Sequence, residues 1–229
     1  MASRAGMQWL WALALALATG GSALAQVPAG QSTADSGLGQ YRIDEPHVFR
    51  QAVRRSVYIP MRDGVRLAVD VYLPMVDGKP ARGRFPTVIE YTRYGRAKPL
   101  PDGGTVRWPD APADARGVLQ VPAKPTGPLL LLAYGYAVAV IDMRGSGASF
   151  GPSHGEGDDV EGRDGFDAIG WIARQPWSDG SVGMIGGSYL AEVQPRVAAE
   201  RPKAVKALSM NVGFFDGPNG GYAIGGGYR

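Results

Sequence analysis

The fold is decided by Val182-Gly183-Met184-Ile185-Gly186-Gly187-Ser188-Tyr189-Leu190-Ala191. An apolar run meets two glycines, a serine follows at once, and residues that can open a helix come next. That order suits a strand, a tight turn and a helix, with Ser188 at the apex. Such a sharp turn needs small residues beside the serine and lifts its hydroxyl clear of the sheet. The helix would direct free backbone N–H groups and the positive end of its dipole at the place where an oxyanion forms. The pattern Gly-x-Ser-x-Gly is incomplete, because Leu190 stands where the second glycine would be. The same window also fits a serine that caps the N-terminus of a buried helix.

On the N-terminal side, residues 136–142 form a continuous apolar run, as in a parallel strand covered on both faces. Asp158 and Asp159 suit a helix start, and Phe166, Ile169, Ile172 and Ala173 place an apolar stripe at helical spacing. Residues 85–91 read as another strand, and residues 129–134 as a short helix closed by Gly135. Residues 56–60 and 65–73 form a hairpin around Arg62-Asp63-Gly64, with Pro74 ending the second arm and loop from 75 to 84. Residues 97–126 show no period and read as a long excursion. Beyond Ser188 a helix is expected to about Glu200, kinked or shortened by Pro195. A strand over 204–210 and a glycine-rich loop over 213–229 follow. Alternating strands and helices predict an α/β domain with a mostly parallel sheet and helices on both faces. Tyr94, Arg144 and Ser188 would then gather at the carboxyl ends of the strands.

The chain has 229 residues, 45% hydrophobic and 20% charged, a length and balance suited to one α/β domain. A net charge of +3 gives no reason to expect a nucleic-acid or membrane partner. Arg4 precedes an apolar run, residues 7–18, that is too short to span a bilayer. Ala23-Leu24-Ala25 then supplies the small residues a signal peptidase needs. Residues 1–25 are therefore expected to be a signal peptide cleaved before Gln26, with an uncleaved anchor as the alternative, and residues 26–50 a flexible leader. The expected location is periplasmic or secreted. The sequence contains no cysteine, which excludes disulfides and lipoprotein acylation.

Five segments occur in order between about Val57 and Arg229: Met61-Arg62-Asp63-Gly64-Val65, Thr92-Arg93-Tyr94-Gly95-Arg96, Asp142-Met143-Arg144-Gly145-Ser146-Gly147, Gln175-Pro176-Trp177-Ser178 and Gly183-Met184-Ile185-Gly186-Gly187-Ser188-Tyr189. With them the chain resembles the cocaine esterase and X-prolyl dipeptidyl-peptidase family of serine hydrolases, whose core is the α/β-hydrolase fold. The resemblance implies that Ser188 is the nucleophile, that the backbone N–H of Tyr189 is one oxyanion donor, and that the hydroxyl of Tyr94 is the other. A phenol O–H can donate to a developing alkoxide. Without the resemblance, Tyr94 fits an ordinary strand-edge tyrosine better. Asp142 and Arg144, in a loop the family shares, are expected to hold that loop through charge-assisted hydrogen bonds.

A serine nucleophile needs a base and an orienting carboxylate, in the chain order Ser, Asp or Glu, His. His47 and His154 both precede Ser188, and His154 reads as a solvated residue of a glycine-rich loop. Of the carboxylates that follow, Glu192 lies on the helix behind the serine and Asp216 comes too early for the usual acid. Family members are longer, with a helical cap and a C-terminal jelly roll. Residues 51–229 are thus expected to be the N-terminal part of such a catalytic domain, truncated before its last strands. An unpaired sheet edge, low solubility and little turnover would follow for this polypeptide alone.

The leading expectation is a serine hydrolase that cleaves an ester or amide, including an X-prolyl dipeptidyl bond, through an acyl-enzyme on Ser188. The alternative is a catalytically inactive fragment or binding remnant lacking the triad Asp and His. No cofactor or metal is implied: the carboxylates form no ligand-spaced cluster with histidine, and Gly145-Ser146-Gly147 lacks the rest of a dinucleotide fingerprint. The expected partner is a small ester or amide or a short peptide. Peptide, ester and β-lactam amide substrates are all compatible with the scaffold, as is any oligomeric state.

Overall fold

The computed structural model describes residues 48–99, 105–107, 113–125, 127–153, 155, 157–212, 222–223 and 227–228. The expected signal peptide, most of the leader, His47, His154, Asp216 and most of the 213–229 loop lie outside the described residues.

The hairpin opens the fold. Strands β1 (Gln51–Pro60) and β2 (Arg66–Val76) pair antiparallel in unbroken register from Gln51↔Met75 to Pro60↔Arg66. Their turn is closed by Met61 N–H donating to Val65 O at 2.7 Å, with Gly64 at φ +84°, a region glycine enters without strain. The second arm runs through Pro74 instead of ending there. The Pro74 carbonyl accepts from Ala81 N–H at 3.0 Å, so the proline nitrogen faces the flank where pairing with the next strand has already stopped at Tyr72. On that flank Ala81 lies opposite Pro74, so the proline forgoes only the return bond of that one pair at the end of the short β2–β3 ladder. A short β3 (Lys79–Pro80) folds back onto β2.

Next come β4 (Phe85–Thr92), β5 (Ala97–Pro99), β6 (Thr105–Arg107), β7 (Val118–Gln120), α1 (Gly127–Ala133), β8 (Ala137–Asp142) and α2 (Asp159–Ala173). The chain continues with β9 (Ser178–Gly187), α3 (Tyr189–Ala199), β10 (Val205–Asn211), β11 (Tyr222–Ala223) and β12 (Gly227–Tyr228). The main sheet has the order β10-β9-β4-β8-β2-β1-β7, parallel from β10 to β8 and antiparallel beyond. The excursion expected to be aperiodic thus contributes β7, which pairs with β1 and buries Leu119. Three residues are too few to display a period.

Helices cover both faces. On one side Leu132 and Ala133 of α1 pack with Tyr72, Val138 and Val140. On the other, Ile169 and Ile172 of α2 and Val193 and Val197 of α3 meet Ile89, Tyr91, Val182 and Met184. The face of α2 turned inward passes through Gly162, Gly165, Ala168, Ile169 and Ile172, whereas Phe166 is only half-buried, beside Arg62. Close approach of α3 explains the difference. A methyl group at Gly165 would lie 2.4 Å from Val197 Cγ2, so bare backbone does the packing that the apolar stripe was expected to do. Pro195 sits inside α3, yet the helix continues to Ala199, with Val193 and Val197 fully buried on either side of it. Strand β10 closes one end of the sheet, is largely exposed, and among the described residues pairs only with β9.

Consecutive connections leave β4 toward β8 on one side and return to β9 on the other. The chain order reverses there, and in open α/β sheets ligands bind at the carboxyl ends of the strands that flank such a reversal.

Candidate active site

Ser188 stands between the end of β9 and the start of α3 with φ 55° and ψ −128°. A side chain in this region costs roughly 1–3 kcal/mol and persists only where its surroundings hold it. Here the Ser188 N–H donates to Asn211 O at 2.9 Å and Val212 O at 3.1 Å. Its carbonyl accepts from Ala191 N–H at 2.8 Å and Glu192 N–H at 3.1 Å. The elbow is therefore tied both to the tip of β10 and to the first turn of α3. Its hydroxyl makes no capping bond to the helix and is exposed, so the helix-cap alternative fails.

Tyr94 follows β4, the strand beside β9. Its N–H donates to Thr92 Oγ1 at 3.0 Å, which bends the chain out of the sheet and leaves the phenol 51% exposed. The Tyr94 hydroxyl lies 3.3 Å from Ser188 Oγ, within hydrogen-bonding reach. Two residues 94 positions apart in the chain thus meet at adjacent strand tips.

Tyr189 is the first residue of α3, so its N–H has no intrahelical acceptor. Its side chain turns inward and is 4% exposed. The phenol donates to the Glu161 carboxylate, both oxygens lying at 2.7 Å, and accepts from Gly157 N–H at 3.0 Å. The Arg93 guanidinium lies 4.6 Å from the ring centroid and that of Arg196 5.7 Å. Burial and the neighbouring Glu161 push the ionisation of Tyr189 well above the usual range. Burial also raises Glu161, against the stabilising contacts of Tyr189, Arg196 and Arg93. Glu161 escaped the sequence reading, and Arg93 entered it only as a member of the Thr92–Arg96 segment, with no role of its own. Glu161 in the first turn of a helix has the pattern of a solvated, dipole-favoured carboxylate.

Asp142 and Arg144 each hold the loop after β8, through partners on other elements and, for Asp142, within the loop as well. Asp142 accepts from Arg96 N–H at 2.7 Å and Ala148 N–H at 2.9 Å, with Arg96 Nε at 3.2 Å. Arg144 forms a two-pronged bond to Asp164, 2.7 Å in each prong, and reaches Asp63 at 2.7 Å. These contacts raise Arg144 further above its ordinary range and hold Asp63 below its own. The same loop borders a cavity of about 330 Å³ that Arg93, Ser146, Ser153 and Glu161 also line. Glu192 lies in the first turn of α3, on the helix behind the serine.

The strand order, the strained serine between strand and helix, and the hydroxyl facing it define an α/β-hydrolase-type core. Residues 63–229 match the model of the X-Pro dipeptidyl-peptidase (S15) family, and the chain belongs to that family. It is 33% identical over 180 residues to the cocaine esterase of Rhodococcus sp., covering 76% of this chain and 27% of that protein. A Mycobacterium bovis protein carrying a provisional serine esterase name is 37% identical over 162 residues, 70% of this chain and 24% of that one. A solved CocE/NonD family hydrolase from Staphylococcus aureus superposes with a TM-score of 0.51 at 29% identity, over 67% of this chain and 26% of its own. The chain therefore spans about a quarter of the length of these relatives.

Proposed function

We propose that this chain carries the nucleophile and the oxyanion donors of a serine hydrolase acting on small esters or amides, X-prolyl dipeptidyl bonds included. Ser188 Oγ attacks the carbonyl carbon and gives up its proton to a base. The carbonyl oxygen, now negative, accepts from the Tyr94 hydroxyl and the Tyr189 N–H. Collapse expels the alcohol or amine, and water then cleaves the ester on Ser188 to release the acid. The observation that carries this reading is the 3.3 Å separation of the Tyr94 and Ser188 hydroxyls at neighbouring strand tips. The names of the family and of the Rhodococcus relative support a dipeptidyl or ester substrate. The base and its orienting carboxylate are assigned to no described residue, and neither histidine lies among them.

The test is turnover of p-nitrophenyl acetate and glycyl-prolyl-p-nitroanilide by the polypeptide expressed from the whole reading frame, hereafter the full-length polypeptide. One or both are expected to be hydrolysed, with Ser188→Ala at background. Absence of turnover and of any reactive serine would favour a non-catalytic remnant. Export is proposed from residues 1–25, and N-terminal sequencing of the recovered protein is expected to begin at Gln26.

A further inference from the structure

Tyr189 does two things at once. Its main chain offers an N–H beside Ser188, and its side chain is held by four partners, Glu161, Gly157, Arg93 and Arg196. The buried phenol has Glu161 as its acceptor and Gly157 N–H as its donor. The guanidinium of Arg93, from the loop after β4, and that of Arg196, from α3, both approach the ring. Arg93 immediately precedes Tyr94, so one aromatic ring connects the backbone of both expected oxyanion donors. Glu161 balances this arrangement, since it receives the phenol and lies 3.6 Å from Arg196.

We propose that Glu161 is a positioning residue for the oxyanion site, acting through the Tyr189 side chain on the Tyr189 N–H and, through Arg93, on the Tyr94 hydroxyl. The inference rests on the hydrolase reading above. Two physical consequences of losing the carboxylate support it. The buried phenol would lose its acceptor, which costs more than the bond itself. The strained Ser188–Tyr189 junction would then be held from the β10 side and the helix but not from α2. Glu161 touches none of the reacting atoms. Its effect falls on donor geometry, where displacements under an ångström change rates steeply.

The experiment uses the full-length polypeptide and a fluorophosphonate–rhodamine probe, with the maximal labelling rate and the apparent probe affinity separated. Wild type is labelled and Ser188→Ala is not, which checks the hydrolase reading by itself. Glu161→Ala and Tyr189→Phe are each expected to slow the maximal rate roughly 10-fold to 100-fold with affinity little changed. The double variant is expected to be no slower than the worse single, because both break one link. Glu161→Gln, which keeps an acceptor oxygen, is expected to recover part of the rate. Wild-type rates in Glu161→Ala, a loss confined to affinity, or additive effects in the double variant would overturn the proposal. If Glu161→Ala does not fold, Tyr189→Phe and Glu161→Gln decide it: both must slow the maximal rate. An unlabelled wild type removes the hydrolase reading and this inference together.

Discussion

Gly186 and Leu190 face each other across the elbow so closely that a β-carbon on the glycine would stand 2.3 Å from that of Leu190. The missing second glycine of Gly-x-Ser-x-Gly is explained by this contact. The turn needs one member of the pair to be bare, and Gly186 is that member. Gly186→Ala is expected to lower stability by about 1–3 kcal/mol in urea unfolding, the usual range for overpacking. Adding Leu190→Gly should relieve the clash, leaving a favourable coupling of at least roughly 0.5 kcal/mol in the double-mutant cycle. Unchanged stability of Gly186→Ala would mean that the elbow tolerates a methyl group there.

Tyr94→Phe isolates one hydroxyl. The ring is half exposed and its loss of an oxygen leaves no buried group unpaired. Stability is therefore expected to stay within about 0.5 kcal/mol of wild type. Turnover of p-nitrophenyl acetate by the full-length polypeptide is expected to fall roughly 100-fold or more, in kcat and not in KM, as when an oxyanion donor is removed. An unaltered kcat would return Tyr94 to the status of an ordinary strand-edge residue.

The two carboxylates on Arg144 separate buried from exposed ion pairing. Asp164 has 3% side-chain exposure and Asp63 has 49%. Asp164→Ala leaves a guanidinium that is itself 9% exposed with the exposed Asp63 as its remaining carboxylate partner among the described residues, and is expected to cost about 3 kcal/mol. Asp63→Ala is expected to cost less than about 1 kcal/mol. Chemical denaturation of the two variants checks the contrast, and equal losses would contradict it.

Glu90, on β4, ionises only at about 7 because burial disfavours its charged form. An unfolded glutamate ionises near about 4.3. Between those values the native state holds the extra proton, so stability falls as pH rises through the window. The penalty is absent below the unfolded value and complete above about 7. Glu90→Gln is therefore expected to match wild type at about pH 4. At pH 8 it should be more stable by about 1 kcal/mol after allowance for partial exposure, or roughly 2–4 °C in Tm. A pH-independent difference between the two would show that Glu90 ionises normally.

Much of the sheet was legible because its strands are long and apolar. Ala137–Asp142 is buried at every position, as the unbroken run predicts. Where packing relies on bare backbone, hydropathy misleads: the contacts of α2 pass through Gly162 and Gly165, and Phe166 turns aside. Ser188 was legible from its glycines, whereas Tyr94 needed the order of all five segments. Glu161 and Arg93 could not be found in the same way. Their relation to Tyr189 exists only after three elements have packed; Glu161 has no unusual local pattern, and Arg93 lies in a quoted segment that does not say what it touches. Pro74 and β7 were misread for a related reason, since each depends on what pairs with the strand and not on the strand's own residues.

The most direct test of the account is mass-spectrometric mapping of the full-length polypeptide after reaction with diisopropyl fluorophosphate. A single phosphoryl adduct on the peptide containing Ser188, absent from Ser188→Ala and formed more slowly in Tyr94→Phe, is the predicted result. An unmodified Ser188, or an adduct on another serine that persists in Ser188→Ala, would contradict it.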